Sequence, residues 1–415
     1  MLTKATPSGL AIRPRRIRDS LKPVDAPPPS ALRRWAMLAI GLFATLCANV
    51  FINSGAFLIP TLETDFGIGL AGAGLISAMP AFGMVLTLIG WGYIVDRIGE
   101  RFVLAVGSAL TAAAAGAAAL THSLVLLSFF LFLGGMAAAS SNSASGRLVV
   151  GWFPAEQRGL AMGIRQTAQP LGVGVGALVI PRLAQAHGVG AALLFPAAVC
   201  AVAAVVCAIG VRDPARPARD RASAEQLANP YRGSGLLWRI HVVSVLLVVP
   251  QAVVWTYTLV WLIAERHWSA GAAGTLVMMG QILGALGRIA AGRWSDRVNS
   301  RLRPIRNIAA AAAATLVVLA FTDAMDSGWS VAAMVLASLV TVSDNGLAFT
   351  AIAEYAGPFW SGRALGTQNT SQLMTAGLTP PLFGALIGAV GFPVAFAVCA
   401  LFPMLAIPLV PADPE

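Results

Sequence analysis

Long apolar runs, broken about every 35 residues by short polar loops, organise this chain from residue 35 to its end. A bilayer-spanning helix needs about 20 mostly apolar residues, and one helix plus a short loop fills that interval. The pattern predicts spans near 35–61, 72–95, 102–120, 123–150, 159–184 and 189–211. After a polar gap, six more are predicted near 236–263, 270–294, 304–322, 328–352, 362–388 and 391–411. The expected fold is an all-α membrane protein with 12 transmembrane helices in two six-helix bundles, at 35–211 and 236–411. Residues 212–235, rich in Arg, Pro, Ala and Ser without apolar periodicity, read as a linker. Residues 1–34 read as a basic, disordered tail and 412–415 as a short one. The apolar run from Trp35 to Leu62 is too long for a signal-peptide core, so the first span is retained.

Composition agrees with that pattern. Of 415 residues, 57% are hydrophobic and 11% charged, against about 25% charged in a soluble domain. A soluble fold and a disordered chain are both excluded. The net charge of +10 comes mainly from arginine. The arginines cluster in the N-terminal tail, in the loops at 96–101 and 151–158, in the linker and at 293–306. The intervening loops carry Glu63, Asp65, Glu265, Asp323 and Asp326, with Arg182 and Arg266 as their basic residues. Cytoplasmic loops hold the Lys/Arg excess, so an integral protein of the cytoplasmic (inner) membrane with both termini on the cytoplasmic side is expected. The charge therefore signals topology and not a nucleic-acid partner. Cys47, Cys200, Cys207 and Cys399 all lie in apolar runs, and neither CxxC nor HExxH occurs. No metal, cofactor or disulfide framework is expected.

The two halves repeat each other. Gly92-Tyr93-Ile94-Val95-Asp96-Arg97-Ile98-Gly99-Glu100-Arg101 returns as Gly292-Arg293-Trp294-Ser295-Asp296-Arg297-Val298-Asn299-Ser300-Arg301. Gly159-Leu160-Ala161-Met162-Gly163 matches Gly362-Arg363-Ala364-Leu365-Gly366, and in the same register Gln169 falls on Gln372. Parallel repeats of six spans place a binding site at their interface, near the bilayer midplane. The Gly92–Arg101 loop, its weaker copy and the Trp152-Phe153-Pro154…Arg158-Gly159 stretch resemble the major facilitator superfamily (MFS) over nearly the whole chain. That resemblance implies a prokaryotic-type secondary transporter, with two bundles rocking about a central cavity and an ion or solute gradient as the driving force.

On the residues themselves, Gly92 and Gly292 permit close helix approach. Asp96 can face a helix N-terminus, which favours an anion. Arg97 and Arg101 are expected to pair across the cytoplasmic face. Gly92, Asp96, Arg97, Gly99, Arg101, Gly292, Asp296, Arg297 and Arg301 together read as a conformational latch; the alternative is a tight turn with topology-setting arginines.

Polar residues inside spans are costly and face the bundle interior. Arg165 and Gln169 are spaced i, i+4, and their repeat partners are Gln368 and Gln372. Arg165 offers a guanidinium to a carboxylate, phosphate or sulfonate, or else forms a structural pair with Asp344. Ser343-Asp344-Asn345 repeats Ser140-Ser141-Asn142, and Asp344 reads as a proton-coupling acid or as a permanently bonded one. Asn49, Asn53, Asn142, Gln251 and Trp255 complete the candidate substrate-binding set. Arg147 and Arg288 lie within about a turn of the cytoplasmic boundary, where snorkelling accounts for them.

Two departures bear on the multidrug–proton antiporters of the superfamily. Their span-four arginine is missing from Gly134–Asn142, and Arg165, Gln169 and Val173 replace glycines of their span-five motif. Proton-coupled transport of a small organic solute, with an anion as one reading, therefore leads; efflux of amphipathic compounds is the alternative. An intramembrane enzyme, a channel and an ATP-driven pump each lack their motifs: no GxSxG, no TVGYG and no GxxxxGK[ST]. The protein is expected to be a monomer with a small-molecule substrate and a proton as its partners.

Overall fold

The computed structural model describes residues 30–214, 222–233 and 235–413; the expected N-terminal tail to residue 29 and part of the linker lie outside them. Every regular element described is helical. The first half holds α1 (Ala31–Ile52), α2 (Ser54–Phe66), α3 (Leu70–Ile98), α4 (Glu100–Leu120), α5 (Leu124–Trp152), α6 (Ala155–Arg165) and α7 (Ala168–Gly210). The linker adds one-turn helices α8 (Ala224–Leu227) and α9 (Pro230–Gly233). The second half holds α10 (Leu236–Ala264), α11 (Ala270–Val298), α12 (Leu302–Ala324), α13 (Trp329–Val340), α14 (Asn345–Ala356) and α15 (Ser361–Leu409).

Ten stretches among the described residues are long and apolar enough to cross a membrane. Two of them are too long for a single crossing. The 43 residues of α7 and the 49 of α15 would extend roughly 65–75 Å, against a hydrocarbon core of about 30 Å. Each breaks at a glycine held at positive φ, Gly188 (82°) and Gly391 (80°), a conformation that costs glycine little. The twelve-span reading rests on dividing both there.

Three predicted spans are interrupted, one of them, near 159–184, at Gln166–Thr167 between α6 and α7. The first span bends at Asn53, between α1 and α2, and the span near 328–352 has a non-helical turn at 341–344 between α13 and α14. Each half packs its own apolar core, around Phe51, Leu131 and Leu193 in the first and Val253, Trp261 and Phe396 in the second. Leu86, Leu120, Ile209, Leu336 and Leu382 stay exposed on the outside, as lipid-facing residues do.

The halves meet where α3 packs on the start of α15 and α11 packs on α6. Backbone touches backbone at both places. A Cβ on Gly92 would sit 2.3 Å from the Gly362 carbonyl oxygen, and one on Gly292 would sit 2.1 Å from that of Gly159. Neither oxygen can swing away as a flexible side chain would. We expect Gly92→Ala or Gly292→Ala to hold the halves apart at this end. Spin labels placed across the α3–α15 and α6–α11 contacts would then report longer distances in detergent, with little change across the contacts inside either half.

Candidate functional site

The duplicated loops close one end of the molecule by exchanging carboxylates. Asp96, near the end of α3, accepts from the backbone N–H of Gly362 (2.8 Å) and Arg363 (3.1 Å), and from Arg363 Nε (3.0 Å). Those groups belong to the first turn of α15, where unpaired N–H groups give a partial positive charge. Asp296, near the end of α11, accepts in the same way from the N–H of Gly159 (2.9 Å) and Leu160 (2.8 Å) on α6. Each half thus supplies the anion, and the other half supplies the backbone donors.

Buried arginines flank both carboxylates. Arg147 of α5 pairs with Asp96 and with Glu100. Arg301 pairs with Asp296 (2.6 Å) and with Glu354 of α14 (3.1 Å), which also takes Arg158 from the opposite half (3.3 Å). Among these neighbours raising the Arg301 pKa, Glu354 is the strongest, and they outweigh a burial that lowers it. Arg301 therefore stays charged at any physiological pH.

Three of the expected latch residues act differently. Arg97 is exposed and lies over the ring of its own-helix neighbour Tyr93, 4.5 Å from the centroid. Arg101 stays within its half, donating to the Ala208 carbonyl (2.7 Å), while its N–H meets Asp213 (2.8 Å). Among the described residues the expected pairing of Arg97 and Arg101 across this face does not form, because Arg97 stays on Tyr93 and Arg101 is held by Ala208 and Asp213. Arg297 is exposed as well. Gly99 has φ 116°, and a Cβ there would stand 2.6 Å from the Asp213 carboxylate. Arg147 does not snorkel: it is 4% exposed inside a helix surrounded by protein.

The deeper polar residues fall into two groups, one per half. Arg165 ends α6 and is 2% exposed. Its Nε donates to Ser145 Oγ, one terminal nitrogen to Gln166 Oε1 and the other to the Asn142 carbonyl, each at 2.9 Å. Phe349 of the other half lies 5.8 Å from the guanidinium. Ser145 also accepts from Thr45, which ties α1 to the group. All three acceptors of Arg165 are neutral, and no pair with Asp344 occurs among the described residues. Two turn residues, Gln166 and Thr167, interrupt the helix after Arg165, so Gln169 on α7 is exposed and parts from it. Asn49 and Asn53 donate to the carbonyls of Thr45 and Asn49 on their own helix (both 2.8 Å), which uses up one donor of each amide.

In the second half, side chains form an extended hydrogen-bonded chain. Tyr231 of α9 meets His241 Nε2 (3.0 Å), and His241 Nδ1 meets Gln368 Oε1 (2.6 Å). Gln368 and Gln372 both donate to Ser244. Gln372 reaches Asn345 Oδ1 (3.4 Å), and Asn345 donates to Gln251 Oε1 (2.9 Å). Gln251 and Trp255 line a narrow cleft between α10, α11 and α13, whose floor is Arg288. Arg288 is 2% exposed and does not snorkel. Behind it stands Asp344, also 2% exposed, on which Arg288 acts electrostatically.

Sequence reasoning missed Arg147, Arg288, His241, Ser244 and Glu354. For Arg288 a signal was present. Gly280, Gly284, Arg288 and Gly292 follow each other at four-residue spacing, one face of α11 that packs against protein along its length.

A helical membrane protein of two repeated bundles, closed at one end by reciprocal loops around buried polar side chains, is built as a carrier. The Major Facilitator Superfamily profile matches residues 38–373. An uncharacterized MFS-type transporter of Mycobacterium tuberculosis (strain H37Rv) is 58% identical over 378 residues, covering 91% of this chain and 85% of that protein. Among solved structures, the Escherichia coli fucose:proton symporter FucP aligns with a TM-score of 0.72 at 18% identity, over 90% of this chain and 97% of that one. The proton:xylose symporter XylE aligns with a TM-score of 0.74 at 14% identity (91% and 95% covered), and the human organic anion transporter MFSD10 with 0.71 at 17% (93% and 100%). The chain belongs to the major facilitator superfamily and is an integral membrane transporter of that family.

Removing the Asp96 carboxylate would leave Arg147 and Arg363 facing each other without it. Breaking a buried pair costs about 3–5 kcal/mol. We expect Asp96→Ala to expose the α3–α15 contact, read as faster maleimide labelling of a cysteine introduced there. Arg97→Ala, which removes an exposed cation, should label at the parent rate.

Proposed function

We propose that the protein is a secondary active carrier that moves a small organic anion across the cytoplasmic membrane by alternating access, coupled to protons. The latch lies on the cytoplasmic side in this reading, with both termini inside, and the carrier works as a monomer. One observation carries the reading: Arg165 and Arg288 lie buried inside the bundles, and no carboxylate is bonded to either among the described residues. Buried cations are expensive without an anion. A transported anion would supply one during part of the cycle.

Asp344 is the acid for proton coupling, since it is enclosed and its Oδ2 lacks a hydrogen-bond partner. The fold likeness to two proton symporters and an organic anion transporter supports the same direction. Gln251 and Trp255 line the cleft of the second half, with Asn345, Gln372 and Gln368 hydrogen-bonded behind them, and Asn49, Asn53, Asn142 and Gln169 lie on helices of the first. Efflux of amphipathic compounds is the second reading, favoured by Trp255, Leu276 and Met334 in the cleft.

Purified protein in liposomes tests this directly. An imposed pH gradient, without ATP, should drive saturable flux of organic anions. Arg165→Ala should cut that flux by about tenfold or more, as expected for loss of a charge-assisted contact. Asp344→Asn should still exchange solute but no longer accumulate it against its gradient. Anion flux unaltered in both Arg165→Ala and Arg288→Gln sinks the anion reading, and retained pH-driven accumulation in Asp344→Asn sinks the coupling.

A further inference from the structure

We propose that Arg288 is the recognition residue for a carboxylate on a ligand with an aromatic or branched apolar body, and that Asp344 competes with that carboxylate for its guanidinium. The inference rests on the carrier reading and names its substrate class.

The cleft's chemistry points that way. Its walls carry Val254, Trp255, Leu276 and Met334, which suit an apolar body. Two of its polar groups, Gln251 and Arg288, can present donors, whereas Thr258, Ser338 and Thr341 give their hydroxyl protons to backbone carbonyls. Gln251 has its carbonyl oxygen occupied by Asn345, which leaves the amide NH2 free to face the cleft. The guanidinium of Arg288 donates no hydrogen bond among the described residues, and its Nε is buried without a partner. A planar fork of donors, enclosed and unused, matches a carboxylate with two parallel bonds.

Asp344 stands close enough to feel Arg288, yet forms no direct ion pair with it among the described residues. Its Oδ2 is buried and unpartnered. The other elements packed on this turn bring no second carboxylate. From α6 comes Arg165, already bonded to Ser145, Gln166 and Asn142. From α10 and α15 come the uncharged Gln251 and Gln372, with His241 bonded at both ring nitrogens to Tyr231 and Gln368. From α5 comes the uncharged Asn142. Arg288 thus has one resident anion and an unused fork of donors on a narrow cleft, which must widen to admit a ligand.

Two carboxylates beside one guanidinium repel each other until one takes a proton. Ligand and proton therefore bind together, the ligand on Arg288 and the proton on Asp344. The site then carries the same net charge empty and doubly loaded. A half-loaded site, with ligand and no proton, would bury an extra negative charge, so that form is the one barred from changing conformation. Coupling follows from the charge count alone.

Equilibrium binding to the full-length protein in detergent tests this. The probes are 2-naphthoate and its neutral amide, followed by tryptophan fluorescence and thermal shift between about pH 6 and pH 9, where the acid stays ionised. The wild type should bind the acid and not the amide, with affinity falling about tenfold or more as pH rises. Asp344→Asn should bind it tightly with little pH dependence. Arg288→Gln should lose binding, and Arg288→Lys should keep part of it. Equal binding of the amide by the wild type, which needs no variant, overturns the proposal. So does a wild-type affinity that ignores pH, or a pH dependence surviving in Asp344→Asn. The failures are separable. Naphthoate binding as described without proton-driven flux would overturn the carrier reading alone; proton-driven flux without it would overturn this one.

Discussion

Two carboxylates bonded to backbone N–H groups of the opposite half hold the closed end together. Asp96 reaches Gly362 and Arg363, and Asp296 reaches Gly159 and Leu160. A carboxylate can accept from two successive N–H groups only if the donor helix lies almost against it. That requirement explains the glycines. Gly92 against Gly362, and Gly292 against Gly159, let the chains approach to distances at which any Cβ would collide with a carbonyl. Aspartate and glycine are therefore one device, and its repetition across the two halves makes the closure symmetric. The four amide bonds also share one geometry. Rotating one half away lengthens all of them together, which favours two discrete states over a continuum.

The ions around the two carboxylates balance. Arg147 and Arg363 meet Asp96 and Glu100 in one cluster, while Arg158 and Arg301 meet Asp296 and Glu354 in the other. The repeats differ in what the loop supplies: Glu100, whose counterpart is Ser300, joins the first cluster, and Arg301, whose counterpart Arg101 stays within its own half, joins the second. Burying these ions costs hydration, and opening the end would return it. The clusters therefore fix which surfaces meet without making separation prohibitive. Deeper in the molecule the balance fails, for Arg165 has only neutral acceptors and Arg288 has none. That contrast separates the closure from the site.

Membrane class, the two groups of spans and the duplicated loop were legible because each leaves a long or repeated signal. That Asp96 would face a helix start was legible too, since a helix N-terminus is a general anion site. That the helix belongs to the other half was not, because contacts across the repeat leave no trace in spacing. Arg97 was misread for a simple reason. It follows Asp96 on a helix, so its side chain points about 100° away from the contact. Arg147 and Arg288 were placed by their distance from the loop, but helical phase decides whether a side chain reaches lipid headgroups. In α5, the run Ala137–Gly146 of small residues marks a helix enclosed on nearly all sides. Asp344 was correctly singled out as a buried acid, whereas the turn at 341–344 that presents it has no proline or glycine to announce it.

The amide chain in the second half has a direction, and that direction shapes the cleft. Burial pushes the Tyr231 hydroxyl up to about 12, so the phenol remains a donor at physiological pH. A phenol can also accept, so the direction is set at the other end: Gln368 Oε1 only accepts, His241 Nδ1–H donates to it, and Nε2 of the neutral ring accepts from Tyr231. Gln368 consequently turns its NH2 toward Ser244. Gln372 gives its own NH2 to Ser244 and Asn345, and Asn345 gives its NH2 to Gln251. Gln368 and Asn345 accept on the side nearer the linker and donate onward, whereas Gln372 donates both ways. The chain ends on Gln251 Oε1, which leaves the NH2 of this cleft-lining side chain unbonded among the described residues. A hydrogen bond begun at the linker helix α9 thus helps to set which end of that amide a ligand can use.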